Sequence, residues 1–93
     1  MEQSTIYMAV ENAGFTVCEF TDNPSSFGSW LVVATRGECQ LRVTFDGRDS
    51  CLSIAAATLR DGWKELKYEI MANRPSNKEL SGITTKWLID AAT

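Results

Sequence analysis

A chain of 93 residues, 44% apolar and 23% charged, is long enough to bury one core and too short for two, and its composition excludes disorder. No stretch approaches the roughly 18 consecutive apolar residues of a membrane helix, and the N-terminus lacks the basic region and apolar run of a secretion signal, so a soluble, cytoplasmic, single domain over residues 1–93 is expected. The net charge of −3 is uneven, because Glu2, Glu11, Glu19 and Asp22 all precede the first basic residue, Arg36; this disfavours a nucleic-acid ligand and suits a basic partner, while the plainer reading is a solvated acidic surface.

The first periodic segment spans residues 4–13, where Ile6, Ala9, Val10 and Ala13 recur at helical spacing. Ser4 is placed to cap this helix, Gly14 to stop it, and Phe15 to fold back on its last turn. Residues 15–20 then read as a strand, and the Asp, Asn, Pro, Ser and Gly of residues 21–29 as a loop. A second strand, residues 30–35 (WLVVAT), is apolar on both faces, which places it inside the sheet or beneath a partner. Gly37 lies in the turn that follows.

Residues 39–55 read as a hairpin, two alternating runs meeting at Asp46-Gly47 in a two-residue type I′ turn. That register sets Phe45 opposite Arg48, Leu41 opposite Leu52 and Arg42 opposite Cys51. One face of it is apolar and the other polar. Beyond Ala55, the spacing of Leu59, Trp63, Leu66 and Ile70 predicts a helix starting between Thr58 and Asp61 and closed by Pro75. Ser76 and Glu79 have the spacing of a capping box, which announces a last helix carrying Leu80, Ile83, Trp87, Leu88 and Ala91. The expected fold is α+β, in the order α-β-β-β-β-α-α: a four-stranded antiparallel sheet with one N-terminal and two C-terminal helices packed on one face.

Little in the chain suggests catalysis. Histidine is absent, which removes the commonest general base and metal ligand, and no phosphate loop, dinucleotide fingerprint or EF-hand pattern is present. No cofactor or metal is expected. Cys18, Cys39 and Cys51 are odd in number and form no CxxC, so they read as reduced thiols. Cys39 reads as a core residue, while Cys51, opposite Arg42, reads first as a half-covered strand thiol of no special function and second as one whose pKa that cation lowers. The carboxylate pairs Asp46 with Asp49 and Glu65 with Glu69 are explained more simply by the turn and by a solvated helix face. Trp63 and Trp87 lie on helical stripes and read as core. Trp30 begins a strand beside the long loop, and the side on which it lies is undecided from the sequence.

The stretch Leu41-Arg42-Val43-Thr44-Phe45-Asp46-Gly47-Arg48-Asp49, followed by Leu52, Ile54 and Trp63-Lys64-Glu65-Leu66, resembles small bacterial immunity-type proteins that accompany polymorphic or contact-dependent toxins. The resemblance covers residues 28–66. It implies a strand, a DGRD-like turn, a further strand and a tryptophan-containing helix, and as a function the occlusion of a toxin. It supplies no contact motif to carry over residue by residue.

The leading expectation is therefore a non-enzymatic protein-binding inhibitor, an immunity protein neutralising a basic toxin or nuclease by contact, acting as monomer or homodimer without nucleic acid or membrane. Candidate partner-binding residues are Glu11, Glu19 and Asp22 for charge, and Trp30, Leu31 and Val33 for apolar surface. Arg42, on the polar face of the hairpin, completes the set. The turn at residues 36–38 decides whether Leu31 with Val33, or Trp30 with Val32, faces away from the helices. Two alternatives stand beside it. One is a small chaperone or phage-type inhibitor receiving a protein segment by strand addition. The other is a nucleic-acid-binding sheet using Arg36, Arg42, Arg48 and Trp30.

Overall fold

A computed structural model of the chain describes residues 1–60 and 62–93. In chain order these form α1 (Gln3–Asn12), β1 (Thr16–Asn23), β2 (Ser29–Arg36), β3 (Cys39–Asp46), β4 (Cys51–Thr58), β5 (Gly62–Ile70) and α2 (Asn77–Ala92). The strands make one open antiparallel sheet in the order β1-β2-β3-β4-β5. The α+β class is as expected. The detail differs: the sheet has five strands, not four, and the described residues hold two helices, not three.

The element that changes identity is residues 62–70, expected as a helix and found as β5. Its pairing with β4 slips by one residue between Ile54 and Ala55, leaving Leu66 as the extra residue. This bulge reverses the alternation, so that Trp63 and Glu65 before it share a face with Tyr68 and Ile70 after it. Residues 63, 66 and 70 thereby mimic a helical period in a strand. Gly62 takes φ +73 at the start of β5, and the Thr58 hydroxyl donates to its carbonyl across the turn. Asp61, one of the residues expected to cap a helix here, lies outside the described residues.

The β3–β4 hairpin exists, but its turn is longer than Asp46-Gly47. Asp46 pairs with Cys51 and Phe45 with Leu52, so residues 47–50 form the loop. Asp46 Oδ1 accepts from the Arg48 and Asp49 amides at 3.0 and 3.4 Å, and the left-handed residue is Ser50 at φ 50. Each strand is displaced by an even step from the expected register. Leu41, Val43, Phe45, Leu52 and Ile54 therefore still face the core together.

Both helices cover that face. Ile6, Ala9 and Val10 of α1 and Leu80, Trp87 and Leu88 of α2 join Trp30, Val32, Ala34, Leu41, Val43, Phe45, Leu52 and Ile54 in one buried cluster. α1 starts after Glu2 without a side-chain cap, one residue before Ser4. It ends as expected, the Phe15 amide bonding Val10 O and the Gly14 amide Glu11 O, with Gly14 at φ +83. α2 opens with the expected capping box, in which Ser76 Oγ accepts from the Glu79 amide at 3.1 Å. The Thr85 hydroxyl donates to the Ala9 carbonyl at 2.8 Å and ties the helices together. Among the described residues no helix is long and apolar enough to cross a membrane.

Candidate partner-binding face

With both helices on one side, no helix among the described residues covers the other face of the sheet. Directly opposed residues point the same way, so the face is read across the strands. Glu19, Val33, Arg42, Ala55 and Glu65 form one row, and Thr21, Leu31, Thr44, Ser53 and Tyr68 the next. Gly37, at φ 60 in the tight turn between Arg36 and Cys39, fixes this choice. It sends Leu31 and Val33 to the open face and Trp30 and Val32 to the core.

The centre of this face is roofed by a stacked pair. The Arg42 guanidinium carbon lies 4.6 Å from the centre of the Trp63 ring, an attraction of about 0.5–1 kcal/mol where solvent is near. Arg42 is opposite Ala55, whose methyl group leaves its side chain free to lie flat. Beside it, Val33 and Ala55 are only 4% and 7% exposed although they face away from the helices.

Toward the β3–β4 hairpin the face sinks into an open depression of ≈ 440 Å³ lined by Thr44, Asp46, Asp49, Cys51, Ser53, Glu65 and Tyr68. Three carboxylates line it, and among the described residues no cation does. Their effect is visible at Cys51, whose pKa is raised by burial first and then by Asp46, Glu65 and Asp49, against a small opposing pull from the Glu69 amide. The expectation that Arg42 lowers this pKa fails because the register sets Cys51 opposite Asp46, and Arg42 opposite Ala55. A thiol held protonated is a poor nucleophile. What the depression offers is hydrogen-bond acceptors and negative charge.

The expected site residues are not gathered in one place. Glu19, Leu31 and Arg42 share the open face, and Val33, though on the same side, is buried at 4% exposure and offers a partner no surface. Glu11 is exposed on α1, on the helix side, and Asp22 bonds the Met1 amino group at 3.2 Å. Trp30 is 2% exposed and stacks on Phe45 in the core, which removes it from any binding surface. Trp63, expected in the core, is instead half-buried on the open face, because residues 62–70 form a strand and not a helix. Arg36, Arg48 and Trp30 do not join Arg42 in a nucleic-acid surface: Arg36 is turned to the helix side, Arg48 sits in the loop and Trp30 is buried. Glu65 and Glu69 fall on opposite faces of β5. Among the described residues, no group of three or more Cys, Asp or Glu side chains is arranged to hold a metal ion.

The geometry defines an α+β meander domain whose sheet is covered by helices on one side and presents an acidic depression on the other. Comparison of the chain with family models, curated proteins and solved structures finds no match.

Proposed function

We propose that this protein is a non-enzymatic inhibitor of the immunity type, which neutralises a basic toxin or nuclease by receiving a cationic segment of it on the open sheet face. The observation that carries this reading is the depression lined by Asp46, Asp49 and Glu65, with no compensating cation among its described lining residues. A Lys or Arg side chain entering it meets carboxylates together with Thr44, Ser53 and Tyr68, and charge-assisted hydrogen bonds are the strong ones. Leu31, in the same row as Thr44, Ser53 and Tyr68, and the exposed Tyr68 and Ile70 add apolar contact around that anchor. The absence of histidine and a protonated Cys51 favour contact inhibition over chemistry. The resemblance of residues 28–66 to immunity-type proteins carries over only in its strand, turn and strand, since the tryptophan-containing helix it implies is strand β5.

Amide-resolved NMR titration with a short oligo-arginine peptide tests the anchor. Shifts are expected at Thr44, Ser53, Glu65 and Tyr68 and should vanish in Asp46→Asn/Asp49→Asn/Glu65→Gln, a triple variant that retains at residue 46 a side-chain oxygen able to hold the turn. Shifts confined to the helix side would reject the site. Co-expression with a toxin encoded beside the gene tests the inhibition: growth should be rescued by the parent protein and not by the triple variant.

A further inference from the structure

The two edges of the sheet, β1 and β5, are finished differently. β1 bulges between Val17 and Glu19, and Asp22 near its end is held by the N-terminus; bulges and charges of this kind blunt an edge. β5 instead exposes large apolar side chains, with Tyr68 and Ile70 61% and 67% exposed and Leu66 exposed beside them. Half of its main-chain groups also point away from the sheet. The Met71 amide bonds the Ser50 carbonyl at 2.8 Å, so, by alternation, Lys67 and Glu69 turn their main chain toward β4 while Tyr68 and Ile70 turn theirs outward. Trp63 and Glu65 point outward as well, because their partners Ala57 and Ala55 continue the alternation of Ser53 and Cys51 along β4.

We propose that this edge pairs antiparallel with β5 of a second copy of the chain, about a two-fold axis between Leu66 and Lys67. This register sets Trp63 opposite Ile70, Glu65 opposite Tyr68 and Lys64 opposite Glu69, each twice by symmetry. Residues seven apart in a regular strand lie on opposite faces. The bulge at Leu66 corrects this, so that Trp63 and Ile70 share the open face and Lys64 and Glu69 the helix face. The outward main-chain groups of residues 63, 65, 68 and 70 then meet one another. Sliding the register by two residues one way sets Lys64 against Lys67 instead, a like-charge contact. The axis runs perpendicular to the sheet, which keeps both acidic depressions on one side of a continuous sheet and both helix pairs on the other. The pairing does not depend on the function proposed above.

Sedimentation velocity across a concentration series, up to about 0.2 mM, tests the pairing, because a short edge interface holds with roughly micromolar affinity. The native protein should reach twice its 10.3 kDa chain mass. Lys64→Glu should weaken the dimer by roughly tenfold, since two favourable cross-strand pairs become repulsive. Lys64→Glu/Glu69→Lys should restore it. Tyr68→Pro, which removes an outward amide, should give a monomer, with circular dichroism confirming the fold. A native protein that stays monomeric throughout overturns the proposal. So does a dimer that is indifferent to both Lys64→Glu and Tyr68→Pro, since its interface then lies elsewhere.

Discussion

Gly47 stands where the β3–β4 loop meets the β1–β2 loop, with its amide donating to Ser29 Oγ at 2.9 Å. A Cβ there would lie 1.9 Å from the Phe27 carbonyl oxygen and 2.7 Å from its carbon, both main-chain atoms. Space, not a left-handed backbone, therefore demands glycine. Gly47→Ala should lower the urea midpoint, at a cost of about 1–3 kcal/mol. Gly82, inside α2 with open space where a Cβ would stand, should behave oppositely: Gly82→Ala should raise stability by up to about 1 kcal/mol. A Gly47→Ala midpoint equal to that of the parent would show that the loops do not meet. The same local view separates the thiols. Cys18 is exposed on β1, whereas Cys51 is half-buried among carboxylates that, with burial, hold its pKa above the ordinary thiol value. Near pH 8 iodoacetamide should modify Cys18 well before Cys51, and the Cys51 rate should keep climbing at pH values where an ordinary thiol has levelled off. Peptide mapping by mass spectrometry reads both.

At the scale of elements, the decisive one is β5. If its Lys67 and Glu69 amides face β4, proline at residue 69 breaks the ladder, whereas proline at residue 68 removes an amide that the sheet does not use. Glu69→Pro should therefore destabilise the monomer more than Tyr68→Pro in chemical unfolding. The reverse order would place the bulge elsewhere. This strand also shows where the sequence is readable. α2 can be recognised because Ser76, Glu79 and the stripe through Leu80, Trp87 and Leu88 state the same boundary independently. The hairpin faces can be read because alternation survives an even change of register, although the turn itself cannot, since Asp46 and Ser50 do what Asp-Gly is expected to do. β5 reads as a helix because one inserted residue converts a period of two into spacings of three and four. Most of the binding face is hidden with it, since Trp63, Glu65 and Tyr68 stand on that strand; Leu31 and Arg42 are legible on strands β2 and β3, whereas the burial of Val33 is not.

The whole molecule decides how its charge acts on a partner. Its principal dimensions are 33 × 26 × 22 Å, and at 0.1 M salt the Debye length is about 10 Å, so charges on opposite faces are screened from one another. The carboxylates of residues 1–35, expected to steer a basic partner together, are divided by the fold: Glu11 lies on the helix side, Asp22 is paired with the N-terminus, and Glu19 faces the open sheet. Steering at the open face must come from Glu19 with Asp46, Asp49 and Glu65, opposed by Arg42. Two variants of equal charge change separate a local field from net charge. Asp49→Lys/Glu65→Lys reverses the depression without touching the turn-forming Asp46, and Glu2→Lys/Glu11→Lys reverses the helix side. At about 0.1 M salt the first should slow association with the oligo-arginine probe, followed by stopped-flow fluorescence, by roughly an order of magnitude, and the second far less. At about 0.01 M the Debye length reaches about 30 Å, comparable to the whole protein, and the two variants should converge because the probe then senses the total charge. Equal slowing at both salt concentrations would mean that net charge alone steers the encounter. Slowing by neither would move recognition to the apolar surface around Leu31 and away from the depression.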